Sequence, residues 1–242
     1  MELTVLGCSG SYGAPFGRAC SGYLLREGDT AIWMDCGNGT LPILQEFIDP
    51  AELSAVVITH EHPDHCADIY GLHVLLRYGM EQVGLPVFAP IGAEQRLGAL
   101  VTDWGPTFDW NAIDDGDKAR VGPVDLRFSR TDHPPPTYAV EATAGGRRLI
   151  YTADTGPEWS IDAFGSGADV VLSEASYLHD NIPAAIHLSA HQAGLAAREA
   201  RARRLLLTHI WPQVDPQASV AEGSEAFGEA VTLAVPSLVT EI

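Results

Sequence analysis

A dense group of metal-binding side chains constrains this chain more than any other feature of its sequence. Residues 59–65 read Thr-His-Glu-His-Pro-Asp-His and follow the apolar run 55–58, which is typical of a buried strand. Three imidazoles and a carboxylate this close together cannot belong to an apolar core, because each would need its own polar partner. Imidazole nitrogens and carboxylate oxygens suit zinc and related divalent cations. We therefore predict a metal site on a strand-to-helix turn, formed by His60, His62, Asp64 and His65; a solvated His-rich turn is the alternative.

Three further predicted strands end in residues of the same kind. Thr131-Asp132-His133, Thr152-Ala153-Asp154 and Thr208-His209 each follow an apolar stretch. Side chains at strand ends are held rigidly and can converge at one edge of a sheet. Any one of them alone could simply cap its strand. Together with the first motif, they predict that His133, Asp154 and His209 are additional metal ligands.

The spacing of apolar residues predicts a layered α/β protein. The chain has 242 residues, 46% of them hydrophobic, so it can bury a sizeable core within a single domain, 1–242. Strands are predicted at 2–6, 21–26, 31–35, 55–59, 86–89, 124–130, 138–143, 148–152, 169–173, 204–208 and 231–235, and helices at 39–48, 66–78, 190–203 and 217–229. Because strands come in runs with helices between them, a sandwich is favoured over strict βαβ winding. The acidic segment 103–123 is predicted to be a long loop or cap.

Charge and cysteine content exclude several classes of protein. Lys and Arg number 14 against 32 Asp and Glu, which gives a formal net charge of −18. Such a field repels polyanions, so stable binding to nucleic acid or to an anionic membrane is not expected. The four scattered cysteines argue against a zinc finger, a thioredoxin motif and a disulfide scaffold. The N-terminus lacks the pattern of a signal peptide and no apolar run is long enough for a membrane span, so we expect a cytoplasmic protein.

The motifs together resemble the metallo-β-lactamase superfamily over nearly the whole chain, from Leu6-Gly7 through Asp35-Cys36-Gly37 to Leu207-Thr208-His209. The resemblance implies a four-layer αββα sandwich with a dinuclear metal site at one edge. It implies that the first ion is held by His60, His62 and His133, and the second by Asp64, His65 and His209, with Asp154 bridging both. The di-iron branch typically has Glu where this chain has His62, so zinc is expected, with manganese as the alternative.

A second resemblance points to one branch of this superfamily. Ser173-Glu174-Ala175-Ser176 and His187-Leu188-Ser189 look like an element of the ribonuclease Z-like phosphodiesterases. In that element the His contacts the scissile phosphate and assists the leaving oxygen, and the Glu orients the His. This implies catalytic roles for His187 and Glu174. In the mechanism that we expect, Asp64 and Asp154 orient the attacking hydroxide. The alternative is that His187 is a surface residue before a helix that Ser189 caps.

Within this branch, the segments 6–11, 174–176 and 205–210 are most similar to bacterial cyclic-nucleotide phosphodiesterases. The expected reaction is hydrolysis of a small cyclic nucleotide by a hydroxide bridging two metal ions, with His187 assisting the leaving group. The alternatives are a ribonuclease Z-like RNA 3′-end nuclease and a carbonyl-directed lactonase or β-lactamase. A homodimer is left open. Aromatic residues that could stack on a base are Trp104, Phe108 and Trp110, and histidines expected on helix surfaces are His73, His179 and His191.

Overall fold

Two seven-stranded sheets form the framework of the computed structural model, which describes residues 1–14, 18–101, 103–182 and 186–242. The first sheet contains β1 (Glu2–Gly7), β2 (Gly22–Glu27), β3 (Thr30–Cys36), β4 (Ala55–Val57), β5 (Leu85–Pro90), β6 (Phe108–Ile113) and β14 (Val239–Glu241). The second contains β7 (Lys118–Val121), β8 (Val124–Arg130), β9 (Tyr138–Ala144), β10 (Arg147–Tyr151), β11 (Val170–Glu174), β12 (Leu205–Thr208) and β13 (Thr232–Leu233).

Each sheet combines antiparallel and parallel pairs. The strand orders are β14-β1-β2-β3-β4-β5-β6 and β13-β12-β11-β10-β9-β8-β7. Strands β3 to β6 pair in parallel, and so do β10 to β13. Since parallel strands end on the same side, the residues that follow β3, β4, β10, β11 and β12 gather along one edge of each sheet.

Six α-helices lie outside the two sheets in the described ranges. They are α1 (Thr40–Phe47), α2 (Pro63–Cys66), α3 (Ile69–Val74), α4 (Ala93–Leu97), α5 (Ala190–Glu199) and α6 (Pro216–Phe227). Leu44 of α1, Leu72 of α3 and Leu97 of α4 pack with the first sheet around Trp33. Residues of α5 and α6 pack on the second sheet in the same way. Together with the apolar layer between the sheets, this confirms the predicted αββα sandwich.

The segment 103–123 is not the loop or cap that its acidity suggests. It contains β6 and β7, which are the edge strands of the first and second sheets, and it carries the chain from one sheet to the other. An edge strand is half solvated, so its polar residues hide the alternation that marks a strand. Most of its acidic character comes from the turn 114–117 between the two strands. The short strand β14 and the short helix α4 were also not predicted.

His73 is not on the surface, contrary to the prediction. Its side chain is buried, and its ring centroid lies 5.2 Å from that of Trp104 and 5.8 Å from that of Phe108. Trp104 and Phe108 are themselves buried, and Trp110 lies 5.3 Å from Trp104. These aromatic residues therefore form a packing cluster under α3 instead of a free stacking surface.

Among the described residues, we find no helix with the length and apolar character that a membrane span requires.

Candidate metal centre and active site

All seven predicted ligands meet at the edge where the parallel strands end. They follow four different strands or lie on α2, and their side chains are buried or half-buried: His60, His62, Asp64, His65, His133, Asp154 and His209. The Thr-His-Glu-His turn begins two residues after the end of β4, and Pro63 at the first position of α2 presets the backbone for a helix. Asp64 and His65 consequently face the same space as the residues after β8, β10 and β12.

The first group consists of three histidines with converging ring nitrogens. His62 Nδ1 lies 3.0 Å from His60 Nε2 and 3.3 Å from His133 Nε2. Asp154 Oδ2 lies 3.6 Å from His60 Nε2 and 3.9 Å from His133 Nε2. Three imidazoles and one carboxylate oxygen around one point match the donor set that zinc prefers.

The second group is built around the other oxygen of the same aspartate. Asp154 Oδ1 lies 3.3 Å from His65 Nε2 and 3.5 Å from His209 Nε2. Asp64 Oδ2 lies 3.2 Å from His209 Nε2 and 3.5 Å from His65 Nε2. Asp154 thus presents one oxygen to each group, which is the arrangement of a bridging carboxylate.

Two buried atoms test whether the residues fit metal ions. His65 Nε2 and Asp154 Oδ1 are fully buried, and neither has a hydrogen-bond partner within the described ranges. Buried polar atoms in folded proteins are nearly always satisfied, so two of them facing each other need a ligand. A divalent cation at each group would satisfy these atoms, and the seven side chains fit that role.

Most of the predicted ligands favour the protonation states that a cation requires. His65 is the exception, because Asp154 and Asp35 outweigh its burial and raise its pKa well above the usual value, so a bound cation would have to displace that proton. Burial lowers the pKa of His60 well below its usual value, and it also lowers the pKa of His62 and of His133. Burial opposes ionisation of Asp154, but His209 and His65 outweigh it and hold the pKa of this carboxyl well below its usual value. Neutral imidazoles and ionised carboxylates are the forms that bind metal.

Comparison with known proteins agrees with this geometry. The family profile described as a β-lactamase superfamily domain matches residues 30–210, which includes every predicted ligand. The chain belongs to the metallo-β-lactamase superfamily.

Several relatives of this superfamily cover most of the chain. The protein ML1173 of Mycobacterium leprae is 37% identical, with 94% of this chain and 84% of the relative aligned. A probable metallo-hydrolase of Bacillus subtilis, YhfI, is 34% identical over 87% of each chain. Its crystal structure superposes with a TM-score of 0.91, covering 99% of this chain and 98% of that chain at 30% identity. A ribonuclease Z of Mycobacterium bovis is 25% identical, covering 89% of this chain and 88% of the relative.

Asp35 fixes one ligand of the metallo-β-lactamase site, and sequence reasoning gave it no role beyond the resemblance. The fully buried carboxylate accepts hydrogen bonds from His65 Nδ1 at 2.7 Å, the Thr59 hydroxyl at 2.9 Å and the Tyr151 hydroxyl at 2.8 Å. This places the ring proton on Nδ1 and leaves Nε2 for the metal. A lone Asp at the end of an otherwise apolar strand was the available indication.

Ser176 plays the equivalent part for His209. With Nδ1 protonated, His209 donates to Ser176 Oγ at 2.9 Å, and this hydroxyl donates to Glu174 Oε2 at 2.8 Å. Backbone strain accompanies this arrangement, since Asp35, Ala153 and His209 have φ of 53°, 52° and 55°. Non-glycine residues in the left-handed region concentrate at functional sites, where the surrounding structure holds them.

Glu174 also binds the predicted general acid. Its Oε1 accepts from the Thr155 amide at 2.7 Å and pairs with His187 Nδ1 at 3.0 Å. His187 has 11% of its side chain exposed, and its Nδ1 lies 3.9 Å from Asp154 Oδ2. Burial lowers the pKa of His187, but the Glu174 carboxylate outweighs it, with a smaller contribution from Asp154, and raises this pKa to about 9.

The alternative view of His187 is only half right. Ser189 does cap α5, and it forms a capping box with Gln192. His187 itself nevertheless lies at the metal groups and not on a free surface, since its ring centroid is 4.9 Å from that of His133 and 5.4 Å from that of His209. His179 and His191 lie together outside the seven ligands, as expected of surface residues.

Proposed function

We propose that this metallo-hydrolase is a phosphodiesterase that cleaves a small cyclic nucleotide. The observation that carries the proposal is the Glu174–His187 pair, with 3.0 Å between Oε1 and Nδ1, at the border of both metal groups. A phosphodiester releases an alkoxide, which needs a proton or a positive charge as it leaves. A carboxylate-paired imidazolium supplies both.

The chain's own residues divide the work as follows. Bound divalent cations would activate water as a nucleophile and neutralise the phosphate oxygens. Asp64 orients the attacking water. His187 Nδ1 is occupied by Glu174, so Nε2 is the atom that would deliver a proton to the leaving oxygen. Burial lowers the pKa of His187, but Glu174 outweighs it and raises this pKa to about 9, which favours the protonated ring that the role requires.

Phosphorus is favoured over a carbonyl carbon as the centre of attack. A lactonase or β-lactamase of this fold does not need an imidazolium beside a phosphate, whereas Glu174 is fully buried in order to hold one. The ribonuclease Z similarity at 25% identity points to phosphoester chemistry as well. That relative makes an RNA 3′-end nuclease the second candidate.

Size and charge favour a small substrate over tRNA. The net charge of −18 opposes a polyanion, while two bound cations would offset it locally for a singly charged cyclic ester. The acidic segment 103–123, which was predicted to be a long loop or cap, is instead built into the two sheets through β6 and β7. We propose zinc as the native metal, with manganese as the alternative. The four free cysteine thiols fit the reducing cytoplasm that we propose as its compartment.

The test is hydrolysis of 3′,5′-cyclic AMP by protein loaded with zinc or manganese, followed chromatographically as AMP. His187→Ala should lower kcat roughly 10²–10⁴-fold while leaving the metal content unchanged. His191→Ala is the matched control, because this half-buried imidazole on α5 lies outside the ligand groups. Failure of the metal-loaded protein to cleave either cyclic AMP or bis(p-nitrophenyl) phosphate would rule out the phosphodiesterase. Cleavage of RNA 3′ ends but not of cyclic AMP would favour the nuclease.

A further inference from the structure

A row of aromatic rings runs from the proposed general acid to the protein surface. The ring centroids of His187 and Tyr177 are 6.1 Å apart, those of Tyr177 and Trp211 are 5.2 Å apart, and those of Trp211 and Tyr12 are 6.2 Å apart. We propose that Trp211 and Tyr12 form the subsite that stacks on the nucleobase of the substrate. This inference rests on the proposed function.

From Tyr177 outward, the rings become more exposed toward the protein surface. Tyr177 is 6% exposed, Trp211 is half-buried, and Tyr12 is 41% exposed. The inner end of the row is His187, which would meet the leaving oxygen of the nucleotide. The sugar that bears this oxygen also bears the base, so the base would lie toward Trp211 and Tyr12.

The backbone holds Trp211 next to the metal groups. Trp211 follows the ligand His209 by two residues, and its amide donates to the Ser176 carbonyl at 3.3 Å. Gly10 leaves the space that the indole occupies, because a Cβ at this position would lie 3.0 Å from Trp211 Cδ1 and 2.4 Å from the His209 carbonyl oxygen. A rigid ring beside the reaction centre is the arrangement that stacking requires.

Tyr12 is exposed but is also held in place. Its amide donates to the Gly10 carbonyl at 2.8 Å, and the Ser9 hydroxyl donates to the Tyr12 carbonyl at 2.8 Å. The Gln213 side-chain amide donates to the Tyr12 hydroxyl. The rings of Tyr12 and Trp211 meet at an interplanar angle of 71°, so a base that stacks on the face of one would meet the other at its side.

Stacking suits the charge of this chain. An aromatic platform attracts a nucleobase without adding charge, and it tolerates different bases because each has a π face. The other aromatic cluster is not available for stacking on a base, since Trp104 and Phe108 pack against the buried His73. Trp110 belongs to that group and serves as the control position.

Two measurements on the zinc-loaded protein test the subsite. The first is quenching of tryptophan fluorescence by 5′-AMP, with ribose 5-phosphate, which lacks the base, as the comparison. We expect quenching by 5′-AMP only, its retention in Trp110→Phe, and its loss in Trp211→Phe. The second is the KM for cyclic AMP, which should rise roughly 5- to 100-fold in Trp211→Leu, the range that base–aromatic stacking gives.

Zinc content is the internal reference, because Trp211 lies only two residues after the predicted ligand His209. It should equal that of wild type in Trp211→Leu, so that a change in KM reports on the subsite and not on the metal centre. If Trp211→Leu fails to fold, the exposed Tyr12→Ser variant gives the same readout in KM. If KM is unchanged in both variants while cyclic AMP is still cleaved, the proposed subsite is wrong. Trp211 and Tyr12 then only pack two loops together. Absence of all phosphodiester cleavage would instead overturn the proposed function.

Discussion

Asp35 and His65 are joined by a 2.7 Å hydrogen bond between Oδ2 and Nδ1, although 30 residues separate them in the chain. Both side chains are fully buried. The bond ties the end of β3 to α2 and fixes which nitrogen of His65 faces the second metal group. His65, a predicted ligand, is therefore oriented by a residue outside the two ligand groups, and this relationship can be tested apart from the ligands.

Asp35→Asn should weaken the second metal position. An asparagine fits the left-handed backbone at φ 53° and preserves the shape of the side chain, but it removes the charge that holds His65. Loss of such an orienting partner lowers metal affinity roughly 10- to 100-fold. Competition with a chromophoric zinc chelator measures this affinity. Asp125→Asn is the control, because its carboxylate is exposed on β8, and equal affinities in the two variants would contradict the role of Asp35.

Removal of metal should destabilise the fold. Without cations, the buried His65 Nε2 and Asp154 Oδ1 lack partners within the described ranges, whereas a ligand that binds only the folded state stabilises it by about 2.7 kcal/mol at 100 times its Kd. Urea unfolding of chelator-treated protein should therefore have a lower midpoint, and added zinc should restore it. In Asp154→Asn the zinc-dependent shift should largely disappear. If added zinc does not change the urea midpoint of the wild-type protein, these residues do not bind zinc.

The sequence predicted the parts of the site that repeat a local pattern. A polar residue after an apolar run marks a strand end, so His60, His133, Asp154 and His209 were located before their positions in space were known. The sandwich followed for the same reason, because most interior strands have continuous apolar runs. The edge strands β6 and β7 were not found, since their solvated faces dilute that pattern with acidic residues.

Contacts between distant segments could not be predicted in this way. Ser176 is a small polar residue whose importance depends on His209, which is 33 residues further along the chain. His73 was expected in water because histidine is often exposed, but the aromatic cluster under α3 buries it. The row from His187 to Tyr12 is likewise visible only once the loops are placed together.

Gly37→Ala should displace the ligand loop. A Cβ at this position would lie 2.0 Å from the Asp64 carbonyl oxygen, so the backbone that carries Asp64 and His65 must move. Overpacking of this kind typically costs 1–3 kcal/mol, which chemical denaturation would measure, and we expect metal content to fall with it. Gly13→Ala is the control, because its closest contact would be 3.3 Å to the end of the Asn38 side chain, which can shift by a few tenths of an ångström. Wild-type stability and wild-type metal content in Gly37→Ala would show that the backbone carrying Asp64 and His65 can move without loss of free energy.

Ser176→Ala tests whether the Ser176 hydroxyl positions His209 or contributes only to packing. The hydroxyl joins His209 Nδ1 to Glu174 Oε2, and its loss leaves two buried polar atoms unsatisfied, at a cost of about 1–3 kcal/mol. Because His209 then lacks its orienting partner, zinc affinity should also fall roughly 10- to 100-fold. Ser173→Ala is a close match, since this buried hydroxyl on β11 lies three residues before Ser176 and donates to the adjacent Glu174 carbonyl at 2.9 Å. If both variants lose stability equally and keep wild-type zinc affinity, Ser176 acts by packing alone. If only Ser176→Ala loses zinc affinity, it is a positioning residue for His209.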